Sequence, residues 1–86
     1  MKLTLLFREY CSLCHRMREM LQPFQTAYGF DLDIIDIDDF PDLERQYNEK
    51  VPVLLHGAHE ICHWHLDEAA LLAYLGQAGG TAGRGT

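Results

Sequence analysis

The stretch Tyr10-Cys11-Ser12-Leu13-Cys14-His15 decides how this chain is read. Before it stands a short apolar run, Leu3-Thr4-Leu5-Leu6-Phe7, bounded by Arg8-Glu9, which reads as a buried strand. After it, Leu13, Met17, Met20, Leu21, Phe24 and Tyr28 recur at helical spacing, while Arg16, Arg18, Glu19 and Gln22 fall mainly on the other side. The cysteines therefore sit where a helix leaves a strand. Unpaired N–H groups and the macrodipole at a helix N-terminus favour an anion. The anionic thiolate is the reactive form of a cysteine. Cys14 lies one turn further on and can reach back to Cys11. A pair so placed is suited to making and breaking a disulfide, with Cys11 as the expected nucleophile and Cys14 as the resolving thiol.

The 86 residues, 48% hydrophobic and 23% charged, suffice for one small domain with one core. Thirteen acids against seven bases give a net charge of −6, which argues against a nucleic-acid surface. No apolar run is long enough to span a membrane, so no membrane association is expected. Met1 to Phe7 is too short an apolar run for a signal peptide. A cytoplasmic monomer is therefore the expectation. Three cysteines, an odd number with one close pair, do not suit a disulfide scaffold.

Further along, Pro23 is expected to kink the first helix near Glu19–Pro23, and Gly29 to cap it. Asp31 to Asp38 reads as a second strand, with Leu32, Ile34, Ile35 and Ile37 among four aspartates. Asp38-Asp39 offers an N-cap for a short helix over about Pro41 to Asn48. Val51 to Leu55 reads as a third strand and Glu60-Ile61-Cys62 as a fourth, joined in a hairpin by His56-Gly57-Ala58-His59. Asp67 caps a last helix that Gly76 ends. Residues 1–76 form the expected domain, and 77–86 a flexible Gly-rich tail. The order β-α-β-α-β-β-α specifies an α/β fold: one four-stranded mixed sheet with flanking helices.

Four features resemble the glutaredoxin-like branch of the thioredoxin fold, over about Met1 to Leu75. They are Cys11-Ser-Leu-Cys14 after the first strand, Asp36-Ile37-Asp38 ending the second, Val51-Pro52 opening the third, and the helix starting at Asp67. The resemblance implies a cis Val51–Pro52 bond beside the cysteines, with the Val51 backbone pairing a bound peptide or glutathione. Tyr10, Trp64 and Asp67 then join Val51 and Pro52 as expected substrate contacts. It implies an oxidoreductase of protein or small-molecule disulfides, with no cofactor and no metal.

Two departures bear on the partner. Lys50-Val51-Pro52 stands where the family has Thr-Val-Pro. Cys62-His63-Trp64-His65 stands where it has Gly-Gly, and such side chains crowd a glutathione site, so glutathione is expected to be a poor partner. Other readings start from the same residues. Cys11-x-x-Cys14-His15 is also the attachment sequence of c-type haem. Cys11, Cys14, Cys62, His63 and His65 can together offer ligands for zinc or an iron–sulfur cluster. A redox-inactive or metal-binding adaptor on the same fold is the non-enzymatic alternative. Arg8, Arg16 and Arg18 are cations near the motif.

Overall fold

A computed structural model describes residues 1–78 of the chain. The elements run β1 (Lys2–Phe7), α1 (Ser12–Tyr28), β2 (Asp31–Asp36), a 3₁₀ turn (Ile37–Asp39), α2 (Pro41–Tyr47), β3 (Val53–His56), β4 (His59–His63) and α3 (Glu68–Ala78). The strands form one sheet in the order β2-β1-β3-β4. β1 and β2 are parallel, as a helical crossover requires. The β1–β3 and β3–β4 pairs are antiparallel. The thioredoxin-type mixed sheet expected from the sequence is thus present.

Register places the functional residues. Phe7 pairs with Asp36, Leu6 with Val53, and Val53 with His63. One end of the sheet therefore gathers the exits of β1 and β2, the Pro52 entry to β3 and the exit of β4. The core lies against the sheet: Leu3, Leu5 and Leu6 of β1, Met17 and Leu21 of α1, Val53 and Leu54 of β3, and Leu71 of α3 are nearly or fully buried. Cys14, Met17 and Leu21 form the buried stripe of α1 at helical spacing.

Several expectations are corrected. Tyr28, expected inward, is 53% exposed at the end of α1. As expected, the helix runs to Tyr28 with Pro23 inside it, and Gly29 caps it at φ 72°. The second strand stops at Asp36, because the Asp36 carboxylate accepts the Asp38 amide at 2.9 Å and turns the chain into 3₁₀ geometry. Asp38 and Asp39 therefore lie inside that turn. Phe40, with no side-chain cap bond, takes the N-cap of α2, where Pro41 begins the helix. α3 runs past Gly76 to Ala78; an interior glycine lowers helix stability by only about 1 kcal/mol. Of the expected tail, residues 79–86 lie outside the described residues.

Candidate active site

Cys11 is the N-cap of α1 in extended conformation, and its sulfur accepts the Cys14 amide at 3.2 Å. Its carbonyl accepts the amides of Cys14 and His15, at 3.1 and 3.2 Å. Cys11 is partly exposed, whereas Cys14 is fully buried. Burial, reinforced by the Cys11 sulfur, pushes the Cys14 thiol up to about 12. The pair is thus asymmetric: an accessible sulfur at a helix terminus, and a protonated one beneath it.

The Val51–Pro52 bond is cis, as the resemblance implied, and both residues are buried. The Pro52 carbonyl accepts the Trp64 amide at 2.8 Å. Trp64 has φ 66°, a region bulky residues rarely enter, and the His65 amide closes a γ-turn onto the His63 carbonyl at 2.7 Å. The indole N–H donates to the Glu49 carbonyl at 2.9 Å, so Trp64 ties the β4–α3 loop to the segment leading into Pro52. The backbone here has the conformation a glycine takes most easily, yet it carries an indole that is half exposed.

Asp67 caps α3, its carboxylate accepting the Ala70 amide at 3.0 Å. Tyr10 is 76% exposed, and the Arg8 guanidinium lies 5.5 Å from its ring centre. His63 Nδ1 pairs with Glu60 Oε2 at 2.6 Å, and Lys50 Nζ with Glu60 Oε1 at 2.7 Å. Lys50, then His63, holds the Glu60 carboxyl below its usual range against the opposing effect of burial. Cys62 packs in the core, where burial pushes its thiol up. Among the described residues no three His, Cys, Asp or Glu side chains converge as metal ligands. His15 Nε2 meets the Glu9 carbonyl at 2.6 Å, and its ring packs edge-on against Phe7.

Arg8 has a role the sequence did not disclose. It is the buried charged residue at the end of β1. Its guanidinium donates to Asp38 at 2.9 Å, to Glu44 at 3.1 Å, and to the carbonyl and side chain of Asn48 at 2.9 and 2.6 Å. Its carbonyl accepts the Cys11 amide at 3.1 Å. Arg8 thus joins the dithiol loop to the chain leading toward Pro52. No local signal marks this, since its partners stand 30 to 40 residues away. By contrast Arg18 lies over the Phe7 ring, and Arg16 lines a groove beside the dithiol.

The strand order, the dithiol at the first helix and the cis-proline opening β3 define a protein of the thioredoxin-fold class. A model of the Glutaredoxin-like domain (DUF836) matches residues 2–76, and the chain belongs to that family. It is 32% identical over 77 residues to a protein of Mycobacterium tuberculosis, a match covering 84% of this chain and 79% of that one. A solution structure from Nitrosomonas europaea is 40% identical with a TM-score of 0.77, over 87% of this chain and 91% of its own. An X-ray structure from X. campestris is 34% identical with a TM-score of 0.67, over 85% and 93%. Thioredoxin 1 of Thermosipho africanus, 23% identical with a TM-score of 0.62 over 92% and 99%, shares the fold. Family and fold point to a redox-related function. No helix among the described residues is long and apolar enough to cross a membrane.

Proposed function

We propose that this protein is a thiol–disulfide oxidoreductase acting on disulfides of proteins or small molecules, as a cytoplasmic monomer. The observation that carries the reading is the asymmetry of the pair: Cys11 partly exposed at a helix N-cap, with the Cys14 amide directed at its sulfur. A Cys11 thiolate attacks one sulfur of the substrate disulfide. A sulfur–sulfur bond forms to Cys11, and the substrate's other sulfur leaves as a thiolate that takes a proton. Cys14 then gives up its proton and attacks the Cys11 sulfur, expelling the second substrate thiolate. The substrate gains two electrons, the protein is left with a Cys11–Cys14 disulfide, and an external thiol or dithiol returns it to the reduced state.

Burial of Cys14 supports this order. A sulfur held protonated and out of solvent does not compete for the substrate, but it lies next to the mixed disulfide once that forms. The Val51 backbone and Pro52 hold the substrate chain, with Tyr10 and Trp64 flanking it. Asp67 already fills the N-cap of α3, which leaves fewer free amides for a glutathione carboxylate. The indole at Trp64 also stands in the region where the glutaredoxins that the chain resembles have Gly-Gly. Protein disulfides are therefore the better partner.

The test uses a disulfide-bonded protein substrate and the purified, reduced chain. Cys11→Ser is expected to abolish reduction. Cys14→Ser is expected to accumulate a mixed disulfide through Cys11, seen by mass spectrometry. Undiminished reduction by Cys11→Ser contradicts the mechanism.

A further inference from the structure

Beside the dithiol lies a groove of about 210 Å³. Leu13, Arg16, Met17 and Met20 of α1 line one wall, and Trp64, His65 and Leu66 of the β4–α3 loop line the other. The α1 residues are spaced i, i+3, i+4 and i+7, so they form a single stripe. The stripe begins at Leu13, between the two cysteines. The opposite wall begins at Trp64, whose amide is bonded to the Pro52 carbonyl.

We propose that this groove recognises protein substrates. It takes one large apolar side chain from a segment that also carries a carboxylate for Arg16, within about three residues of the reacting cysteine. This rests on the oxidoreductase reading above and specifies its substrate class.

Three observations carry it. The first is size. Sites that enclose whole small molecules run to about 300–1,000 Å³. This groove is smaller and suits a single side chain. Leu13 to Met20 spans about 10 Å of helix, the reach of about three extended residues. The second is lining. Leu13, Met20, Leu66 and the Trp64 indole give the groove an apolar part beside the polar Arg16 and His65, with Met17 buried behind them, and methionine adapts to side chains of different shape. The third is charge. The chain carries −6 overall, yet no carboxylate lines the groove. Among the described residues Arg8, Arg45 and Lys50 are held in ion pairs, whereas Arg16, Arg18 and Lys2 make none, and of these three Arg16 is the one that lines the groove. A substrate carboxylate completes what the groove lacks.

The test measures the rate at which the reduced protein acts on single-cysteine peptides blocked as mixed disulfides with 2-mercaptoethanol. A Phe or Ala stands two residues from the cysteine, with a neighbouring Glu or Lys. The Phe–Glu peptide is expected to react about tenfold faster than Ala–Glu, from partial burial of one large side chain. It is expected to react about threefold faster than Phe–Lys, from one exposed ion pair. Preferences are read as ratios within each variant. Arg16→Glu is expected to invert the Glu/Lys ratio and Arg16→Lys to retain it, while Met20→Asp removes the Phe preference. Equal rates for all four peptides, or faster reaction of a glutathione mixed disulfide than of Phe–Glu, overturn the groove proposal alone. So does a wild-type dimer that Met20→Asp converts to a monomer, because a second copy would then be the occupant. Failure to reduce any of these peptides or bis(2-hydroxyethyl) disulfide overturns the oxidoreductase reading itself.

Discussion

The Cys14 amide points at the Cys11 sulfur from 3.2 Å, while the Cys14 side chain is fully buried beneath it. One residue thus serves its neighbour twice, with its backbone as a donor and its side chain as a held-back thiol. The N-cap position explains the first part, since the Cys14 amide lacks an i−4 partner in the helix and is shared between the Cys11 sulfur and the Cys11 carbonyl. The buried stripe of Cys14, Met17 and Leu21 explains the second.

The buried thiol gives a pH dependence with a definite sign. Unfolded, Cys14 loses its proton near the ordinary value of 9.0; folded, it holds that proton up to about 12. Between these values the unfolded state binds fewer protons, so stability falls as pH rises. The contribution is fully present below pH 9 and is lost through pH 12. Denaturant unfolding of the reduced protein is expected to show a steeper alkaline loss than reduced Cys14→Ser. Cys62 shifts in the same direction and is common to both proteins, so the comparison isolates Cys14. Identical alkaline slopes would remove the buried thiol from the account.

Trp64 offers a second check. At φ 66° a non-glycine residue is strained by about 1–2 kcal/mol, which glycine escapes. Trp64→Gly and Trp64→Ala both lose the indole bond to Glu49, so their difference reads the backbone. The Gly variant is expected to be more stable than the Ala variant by about 1 kcal/mol in denaturant unfolding. Trp64→Gly is also expected to raise the rate on a glutathionylated peptide, because the bulky side chain is gone. No gain on that peptide contradicts the steric argument against glutathione.

Arg8 supplies a third. Its side chain is 9% exposed, and its guanidinium faces two carboxylates and Asn48. Removing the guanidinium takes away one buried hub that donates to four acceptors on Asp38, Glu44 and Asn48, which costs more than losing a single exposed pair. Arg8→Met is therefore expected to lower the melting temperature clearly, and Arg45→Ala, in the exposed pair with Asp42, hardly at all. Equal effects of the two substitutions contradict the role given to Arg8.

What the sequence disclosed follows the range of the interactions. The β1 run Leu3–Phe7, the α1 stripe and the Cys-x-x-Cys are local patterns, and they specified the elements and the dithiol. Val51-Pro52 fell within reach because its family context is short and distinctive. Arg8 did not, since its partners Asp38, Glu44 and Asn48 become neighbours only through the fold. Trp64 was legible as a bulky departure from glycine, but its left-handed backbone was not. That conformation is held by bonds to Pro52 and Glu49, against the residue's own preference. Arg16 reads as a solvated helix residue until the β4–α3 loop closes the groove across from it.

The central claim is that Cys11 is the attacking sulfur. Brief iodoacetamide treatment of the reduced protein near neutral pH, followed by peptide mapping, tests it most directly. Cys11 is partly exposed, while burial raises both Cys14 and Cys62 and closes them to reagent. The expected result is carboxamidomethylation at Cys11 first, with Cys14 and Cys62 slow. Modification of Cys14 or Cys62 ahead of Cys11 would contradict the assignment and the mechanism built on it.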